Sequence, residues 1–464
     1  MNPQLKDLAG KRVHFVGIGG TGMSGLARIM ASGGIRVTGS DLKESSVLAA
    51  LRVIGVEAVE GHRKKNVEGA DFVVYSNAIS SENPELIRAK ELLIPCLTRA
   101  QALATLMSES KSIAVAGTHG KTTTTSMLTV AIQGCGEDPS FAIGGILKAS
   151  GSNAHKGTGQ FFIAEADESD GSFIEYHPYG AIITNIEHDH VDFFETPESV
   201  FSAFRNFVET ISTDGFLVYC SDDEGASQIG KLVKHCKTFT YGADLDSDMH
   251  IDQIELSPST SRARALWQGR SIGILELQVP GHHNLLNAAA ALTAGLALGL
   301  PPNLLLKGLS TYHGTGRRFE LKGQVHGIRV IDDYGHHPTE IHVTLETAKR
   351  YTTDGHLLVI FQPHRYSRTR AFTAQFAESL ESADRTWVLE VYAAGEKAMP
   401  GVSGFSITKL MTHGIFEPNF ISVITAVVDE AKPGDVILTL GAGDVSSLGP
   451  LIVDALSLKY PEKK

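Results

Sequence analysis

The residues Gly117-Thr-His-Gly-Lys-Thr122 have the types and spacing to hold a polyphosphate. The apolar run 113–116 ahead of them reads as a strand, and Lys121 with the threonines behind it opens a helix pattern. In such a strand–turn–helix, backbone N–H groups freed by the glycines and the positive end of the helix dipole face the phosphates. The lysine reaches the terminal phosphates and the Thr122 hydroxyl holds Mg2+. The match is to the core of the phosphate-loop pattern only, because Val115 and Ala116 stand where the longer pattern has glycine or a free position. Lys121 is expected to face ligand, so the fold should not depend on it. Two acidic stretches add metal chemistry: the strand at 161 runs into Glu165-Ala-Asp-Glu168, and the strand 181–184 runs into Asn185-Ile-Glu-His-Asp-His-Val-Asp192. Mg2+ prefers hard oxygen ligands, which makes Thr122 and Glu165 natural partners and His190 an unusual third. A cationic set follows the strand 357–361, where Arg365 and Arg368 lie three residues apart at a helix start and can reach one carboxylate or phosphate.

These residues need strand ends to hold them, and the chain supplies alternating strand and helix signals throughout. In the first region, residues 1–105, a strand at 12–16 enters a glycine turn, a helix pattern covers 23–31, and a second strand, 37–40, ends in Asp41. Gly17, Gly19 and Gly22 fit G-x-G-x-x-G with an acid about 20 residues on, the dinucleotide fingerprint. A helix N-terminus of this kind accepts any nucleotide diphosphate, whether NAD or the UDP of a nucleotide sugar. The strand 71–75 runs into Ser76 and Asn77. The second region, 106–312, holds the phosphate loop, both acidic stretches and an alanine-rich apolar run, 284–300, read as a buried helix capped by Asn284. The third, 313–464, has strand signals at 330, 357–361, 387–391 and 436–440. The fold class expected from these signals is α/β, with two or three domains by length.

Composition narrows the function classes. At 464 residues, with 42% hydrophobic and 20% charged content, the chain has the profile of a soluble globular protein with ample cores. A net charge of −11 argues against a nucleic-acid reader, which needs a basic footprint. The four cysteines, 96, 135, 220 and 236, form no C-x-x-C pair and suggest a reducing compartment. Residues 1–12 lack an apolar export segment and the run at 284–300 is too interrupted to span a membrane, so a cytoplasmic location is expected.

Taken together the motifs resemble the Mur ligases of peptidoglycan synthesis. The resemblance rests on GIGGTGMSG at 17–25, GSD at 39–41, SNAIS at 76–80, GTHGKTTTT at 117–125, EADESD at 165–170, TNIEHDHVD at 184–192, HNLLNAAAA at 283–291, RRFE at 317–320, DDYGHHPTE at 332–340 and FQPHRYSRT at 361–369, in the family's order along nearly the whole chain. It implies three α/β domains: a Rossmann-like first domain, a central domain with a phosphate-loop ATPase type of parallel or mixed sheet, and a Rossmann-like third domain. It implies ATP-dependent ligation through an acyl phosphate, and is nearest to the members that join L-alanine to UDP-N-acetylmuramate. It also implies two Mg2+ sites, one on Thr122 and Glu165 and one on Glu165 and His190, with Lys121, Glu165 and His190 catalytic. ATP would be held by Gly117, Thr118, His119, Gly120, Lys121, Thr122, Thr123, Asn287, Arg318 and Asp333. The UDP-sugar would be held by Gly17, Gly19, Gly20, Gly22, Met23, Asp41, His62, Ser76 and Asn77, and L-alanine by Tyr334, His336, Arg365 and Arg368. No nucleic acid and no membrane span is implied, and the expected state is a monomer or weak homodimer.

One departure stands out. Several family members carry a carbamylated lysine beside the second metal, but no lysine occurs here between Lys156 and Lys231, so that modification cannot form in this segment. Three rival readings remain: the family's ligase for a recycled tripeptide, an NAD-dependent oxidoreductase, and an ATP-regulated binding protein without chemistry.

Overall fold

A computed structural model describes residue 8, residues 10–352 and residues 355–461 as three α/β domains. The first comprises β1 Arg12–Val16, α1 Thr21–Ser32, β2 Arg36–Asp41, α2 Ser46–Val53, β3 Glu57–Glu60, β4 Phe72–Tyr75, α3 Pro84–Glu91, β5 Cys96–Thr98 and α4 Arg99–Met107. Its sheet is parallel throughout, in the order β3-β2-β1-β4-β5. The order reverses between β1 and β4, which opens a crevice at the carboxyl ends of those strands, where the turn after Val16 and the loop at Ser76 lie.

The central domain runs β6 Lys111–Ala116, α5 Lys121–Gly134, β7 Ser140–Leu147, β8 Ser152–His155, β9 Phe161–Glu165, β10 Gly180–Ile183, α6 Pro197–Val208, β11 Phe216–Cys220, α7 Glu224–Leu232, β12 Lys237–Gly242, β13 Met249–Leu256, β14 Ser261–Trp267, β15 Arg270–Leu277, α8 His282–Ala297 and α9 Pro302–Leu309. Ten strands order as β15-β14-β13-β12-β11-β10-β6-β9-β7-β8, with β6 between β9 and β10 and parallel to both. That placement brings the phosphate loop and both acidic stretches to one sheet edge. Helix α5 is rich in β-branched threonine, a poor helix former. It is helical because it is buried almost all round, and its hydroxyls bond back one turn: Thr125 to the Lys121 carbonyl, Ser126 to Thr122 and Thr129 to Thr125, each at 2.8 Å.

The third domain comprises β16 Glu320–Val325, β17 Ile328–Asp333, α10 Pro338–Tyr351, β18 Leu357–Phe361, α11 Tyr366–Leu380, β19 Arg385–Val388, α12 Gly404–Thr408, β20 Gly414–Phe416, α13 Phe420–Glu430, β21 Val436–Leu440 and α14 Leu448–Lys459. Its sheet orders as β16-β17-β21-β18-β19-β20, parallel except for the β16–β17 hairpin.

Three readings shift. The strand expected at 387–391 is Arg385–Val388, and the chain has left the sheet by Leu389. The apolar run begins its helix two residues early, at His282, and ends at Ala297, with Gly299 in a left-handed conformation (φ +79°) beyond it. Asn284 therefore lies inside the first turn, and its amide donates to the Pro280 carbonyl at 2.6 Å rather than capping an N–H. The antiparallel ribbon β13–β15 was not anticipated. Among the described residues no helix is long and apolar enough to cross a membrane.

Helices α5 and α9 approach so closely that a Cβ on Gly308 would sit 2.5 Å from the Val130 carbonyl oxygen and 2.8 Å from the Ala131 Cα. Backbone cannot yield as a flexible side chain does. Gly308→Ala should therefore cost ~1–3 kcal/mol by overpacking, read as a lower urea midpoint. An unchanged midpoint would refute this packing.

Candidate active site

The phosphate loop is pinned by its neighbour β10. Gly117 (φ +134°) passes so close to this strand's end that a Cβ would lie 2.0 Å from Thr184 Oγ1, so only glycine fits. The Asn185 side chain accepts the His119 N–H at 2.8 Å, and Thr118 N–H donates to the Asn185 carbonyl at 2.9 Å. Lys121 folds back over the loop, donating to the carbonyls of Gly117 at 2.6 Å and Thr118 at 3.0 Å, and pairs with Glu168 Oε1 at 2.9 Å. Glu168 is 2% exposed. Lys121 thus does more than face ligand: it neutralises a buried carboxylate.

The oxygen donors meet beside it. Thr122 Oγ1 donates to Glu165 Oε1 at 2.9 Å, while Gly144 N–H holds Glu165 Oε2 at 2.7 Å. His190 Nε2 lies 3.5 Å from Glu168 Oε1 and 3.8 Å from Asp189 Oδ2, so Glu168, not anticipated as a site residue, stands between Lys121 and His190. Glu168 Oε2 is buried without a hydrogen-bond partner. The Thr122 hydroxyl beside Glu165, and the orphaned oxygen of Glu168 nearby on the same loop edge, are hard oxygen donors of the kind that a divalent cation such as Mg2+ takes.

Behind the loop a cavity of about 210 Å³ is walled by apolar groups, among them Val279, Pro280, Phe319 and Val343, and edged by Thr123, Asn287, Arg318 and Asp333. Asn287 Oδ1 accepts from Thr124 Oγ1 at 3.2 Å and crowds Gly120, whose φ is +82°. Burial raises the Asp333 carboxyl to about 6, against the pull of Arg318 and of the Phe319 and Gly335 N–H groups that it accepts. An apolar slot with a few aimed polar groups suits a purine base.

A larger cleft, about 810 Å³, lies where the three domains meet. The first domain lines it with Gly20, Gly22, Met23, Ser76 and Arg99, the central domain with Thr118, Gly120, Lys121, Thr122, Glu165 and His190, and the third with Arg318, Tyr334, His336, Arg365 and Arg368. Gly17, Gly19, Asp41, His62 and Asn77 do not line it. Asp41 instead accepts the Gly19 N–H at 2.8 Å, which braces the glycine turn, and Asn77 bonds Asp170. The His62 ring sits 2.9 Å from Ser40 Oγ, in a buried network with His14 and Glu85. Burial opposes ionisation of Glu85, but His14, Ser40 and Asn66 outweigh it and hold its carboxyl down at about 2.

Arg99, which no sequence signal marked, opens α4 and lies against Gly22, placing a cation beside the glycine turn and 3.9 Å from Asp167. The two third-domain arginines already have partners on the central domain. Arg368, 4% exposed, directs two nitrogens at Asp189 Oδ1, at 2.8 and 2.9 Å, and Arg365 pairs with Asp192. Although burial opposes it, Arg368 and neighbouring histidines hold the Asp189 carboxyl well below its usual range. Burial, with Arg368 adding repulsion, lowers His336 to about 3 and His364 to about 4, so both rings are neutral near pH 7.

Comparison with known proteins places the chain by family and fold. Residues 12–111 match the model described as the Mur ligase family catalytic domain, 115–295 the Mur ligase middle domain and 317–443 the Mur ligase glutamate ligase domain. The chain is 47% identical to a UDP-N-acetylmuramate–L-alanine ligase of Renibacterium salmoninarum, over 100% of this chain and 99% of that one. It is 45% identical to the enzyme of the same name from Acidothermus cellulolyticus, covering 97% and 96%. Among solved structures it is similar to the UDP-N-acetylmuramate-alanine ligase of Thermotoga maritima, with a TM-score of 0.81, 31% identity and 97% and 100% coverage. A murein peptide ligase of Psychrobacter arcticus follows at 0.72 and 25%, covering 96% and 98%.

Removing Lys121 leaves Glu168 as an uncompensated buried charge, a loss of ~3–5 kcal/mol. Lys121→Ala should lower stability as well as turnover, and adding Glu168→Gln should restore stability, read by urea denaturation, without restoring turnover. A Lys121→Ala chain as stable as the parent would sink this account. His119 offers a pH signature. Burial opposes its protonation, but Glu340 at 3.3 Å and Glu187 at 3.5 Å outweigh it and raise the ring to about 9. The stabilisation from the bound proton is complete below the ordinary imidazole value of ~6.5 and is lost as pH rises through about 9. His119→Gln should flatten the fall in stability across that window in metal-free buffer, and a slope unchanged by the substitution would contradict the assignment.

Proposed function

The chain belongs to the Mur ligase family of ATP-dependent ligases, and from that premise we propose that it joins L-alanine to the carboxylate of UDP-N-acetylmuramate. The products are UDP-N-acetylmuramoyl-L-alanine, ADP and phosphate, for peptidoglycan synthesis in the cytoplasm. The observation that carries this reading is the cleft in which a glycine turn, a phosphate loop and a pair of arginines from three domains face one another. The full-length likeness to relatives bearing the alanine ligase name supports it.

A carboxylate is a poor acyl donor. Phosphorylation by ATP converts it to an acyl phosphate that an amine can attack, a task of positioning and charge neutralisation. Lys121 would steady the transferring phosphoryl group, with Gly117, Thr118, His119, Gly120 and Thr123 cradling the phosphates. Asn287 and Asp333 would edge the base, and Arg318 would reach ATP from the third domain. Thr122 with Glu165 would hold one Mg2+, and Glu165 with His190 a second, Glu168 standing close by; the cations would cancel repulsion between ATP and the sugar carboxylate. Gly20, Gly22, Met23 and Ser76 would take the UDP-sugar directly, and we add Arg99 to them. Gly17, Gly19 and Asp41 would act by shaping the turn; His62, held by Ser40 and Glu85, and Asn77, held by Asp170, would brace that subsite from outside the cleft. Tyr334, His336, Arg365 and Arg368 would hold the amino acid, Arg365 exchanging Asp192 for the alanine carboxylate. We divide the domains at 105/106, which falls inside α4, and at 312/313, and infer a monomer or weak homodimer.

The likeness to a murein peptide ligase keeps one alternative, a tripeptide acceptor in place of L-alanine. The deciding measurement is phosphate release with UDP-N-acetylmuramate and ATP plus L-alanine, glycine, L-serine or the L-Ala-D-Glu-diaminopimelate tripeptide. L-alanine should be fastest, with glycine and L-serine slower because one methyl is worth only ~1–3 kcal/mol. Preference for the tripeptide would overturn the assignment. Arg365→Lys, which keeps the charge but loses the planar fork, should raise KM for L-alanine far more than KM for ATP; equal increases would remove Arg365 from the amino-acid site.

A further inference from the structure

His119 on the phosphate loop, Glu187 on the loop after β10 and His337 at the start of α10 meet at the junction of the central and third domains. Among the described residues they are the one set of three histidine, cysteine or carboxylate side chains whose ligand atoms converge within 4.8 Å. His119 Nε2 lies 3.5 Å from Glu187 Oε2, His337 Nδ1 lies 3.8 Å from that same oxygen, and the two rings are 4.7 Å apart.

The protein has oriented these groups as it would ligands. The Nδ1 of His119 faces Glu340 Oε1 at 3.3 Å. The carboxylate on Nδ1 orients the ring so that Nε2 faces Glu187, and metal binding there would displace the proton that the ring otherwise shares with the two carboxylates. His119 Nε2 is buried and has no hydrogen-bond partner. The His337 nitrogen turned to Glu187 is Nδ1, which a metal would take from the Thr339 N–H it accepts at 3.4 Å, and His337 Nε2 behind it is buried without a partner. His337 is 5% exposed. Buried imidazole nitrogens without partners are costly unless something binds them. Thr339 Oγ1 steadies Glu187 Oε2 at 2.6 Å.

We propose that His119, Glu187 and His337 form a transition-metal site of the Zn2+ class, separate from the oxygen-rich Mg2+ position at Thr122 and Glu165, which staples the phosphate loop to the third domain. Two imidazoles and a carboxylate are a Zn2+ donor set, whereas Mg2+ selects oxygen. Ligands at ~2.0–2.2 Å from a tetrahedral ion lie roughly 3.3–3.5 Å from one another. Two of the present separations, 3.5 and 3.8 Å, lie within a few tenths of an ångström of that, and all three ligand atoms are within 4.8 Å of one another. The fourth position opens toward the base cavity, whose wall includes His119 and Glu187. Occupancy ties two central-domain ligands to one on α10, so the ion holds the domain junction shut.

Co2+ reports the site through its visible absorption. The full chain, stripped of transition metals and kept in large excess Mg2+ without nucleotide, should bind one Co2+ with the intense absorption of low-coordinate geometry, and Zn2+ should displace it. His337→Asn retains an acceptor for the Thr339 N–H that His337 Nδ1 now caps, and circular dichroism checks that it folds. It should weaken Co2+ binding at least tenfold, as should Glu187→Gln. Thermal unfolding of the parent should shift upward with Zn2+ and that of the variants should not. Absence of the band, or a band equally strong in both variants, overturns the proposal, the latter placing the ion at Thr122, Glu165 and His190 instead.

Discussion

A lysine and a glutamate buried side by side under the phosphate loop are the interaction on which the site rests. Lys121 and Glu168 are 2.9 Å apart with Glu168 almost sealed from solvent, and neither charge could stay there alone. The pair exists because β6 and β9 are adjacent and parallel, so that the residues after their carboxyl ends project into one space. It orders the loop through the two carbonyls that Lys121 also holds, and it leaves one carboxylate oxygen aimed inward without a partner. That unpaired oxygen is costly in a buried place unless a ligand binds it.

The third domain meets this site through charged contacts. Arg368 to Asp189, Arg365 to Asp192, Thr339 to Glu187 and His119 to Glu340 all cross from the third domain to the central one. Polar junctions of this kind can open and reform, unlike an apolar core cut in half. Several of the same groups line the clefts that ligands would enter. Ligand binding and domain contact therefore draw on shared side chains, which ties closure to occupancy.

Local patterns carried much of this. The glycine turn after β1, the glycine-lysine-threonine turn after β6 and the arginines after β18 each followed an apolar strand run, and each was legible because turn chemistry and helix starts are written in neighbouring residues. The shifted strand at 385–388 and the early start of α8 are boundary effects, where hydrogen-bond pairing decides what hydropathy cannot. The ribbon β13–β15 escaped because its half-exposed alternation is weak beside the long apolar runs.

What the sequence determined by itself was the α/β class and the phosphate-loop, acidic and cationic stretches, since each rests on composition and spacing within a few turns of chain; the three-domain order came from the order of the motifs in the family they resemble. Only the tertiary structure decided which of them touch. His62 turned inward to Ser40 and Glu85, and Arg99 emerged beside Gly22. Arg368 found Asp189, 179 positions away, and His337 of the third domain came to face His119 of the loop. Those partners are chosen by strand order and domain docking, which depend on how whole layers bury their apolar faces, and no local pattern encodes that.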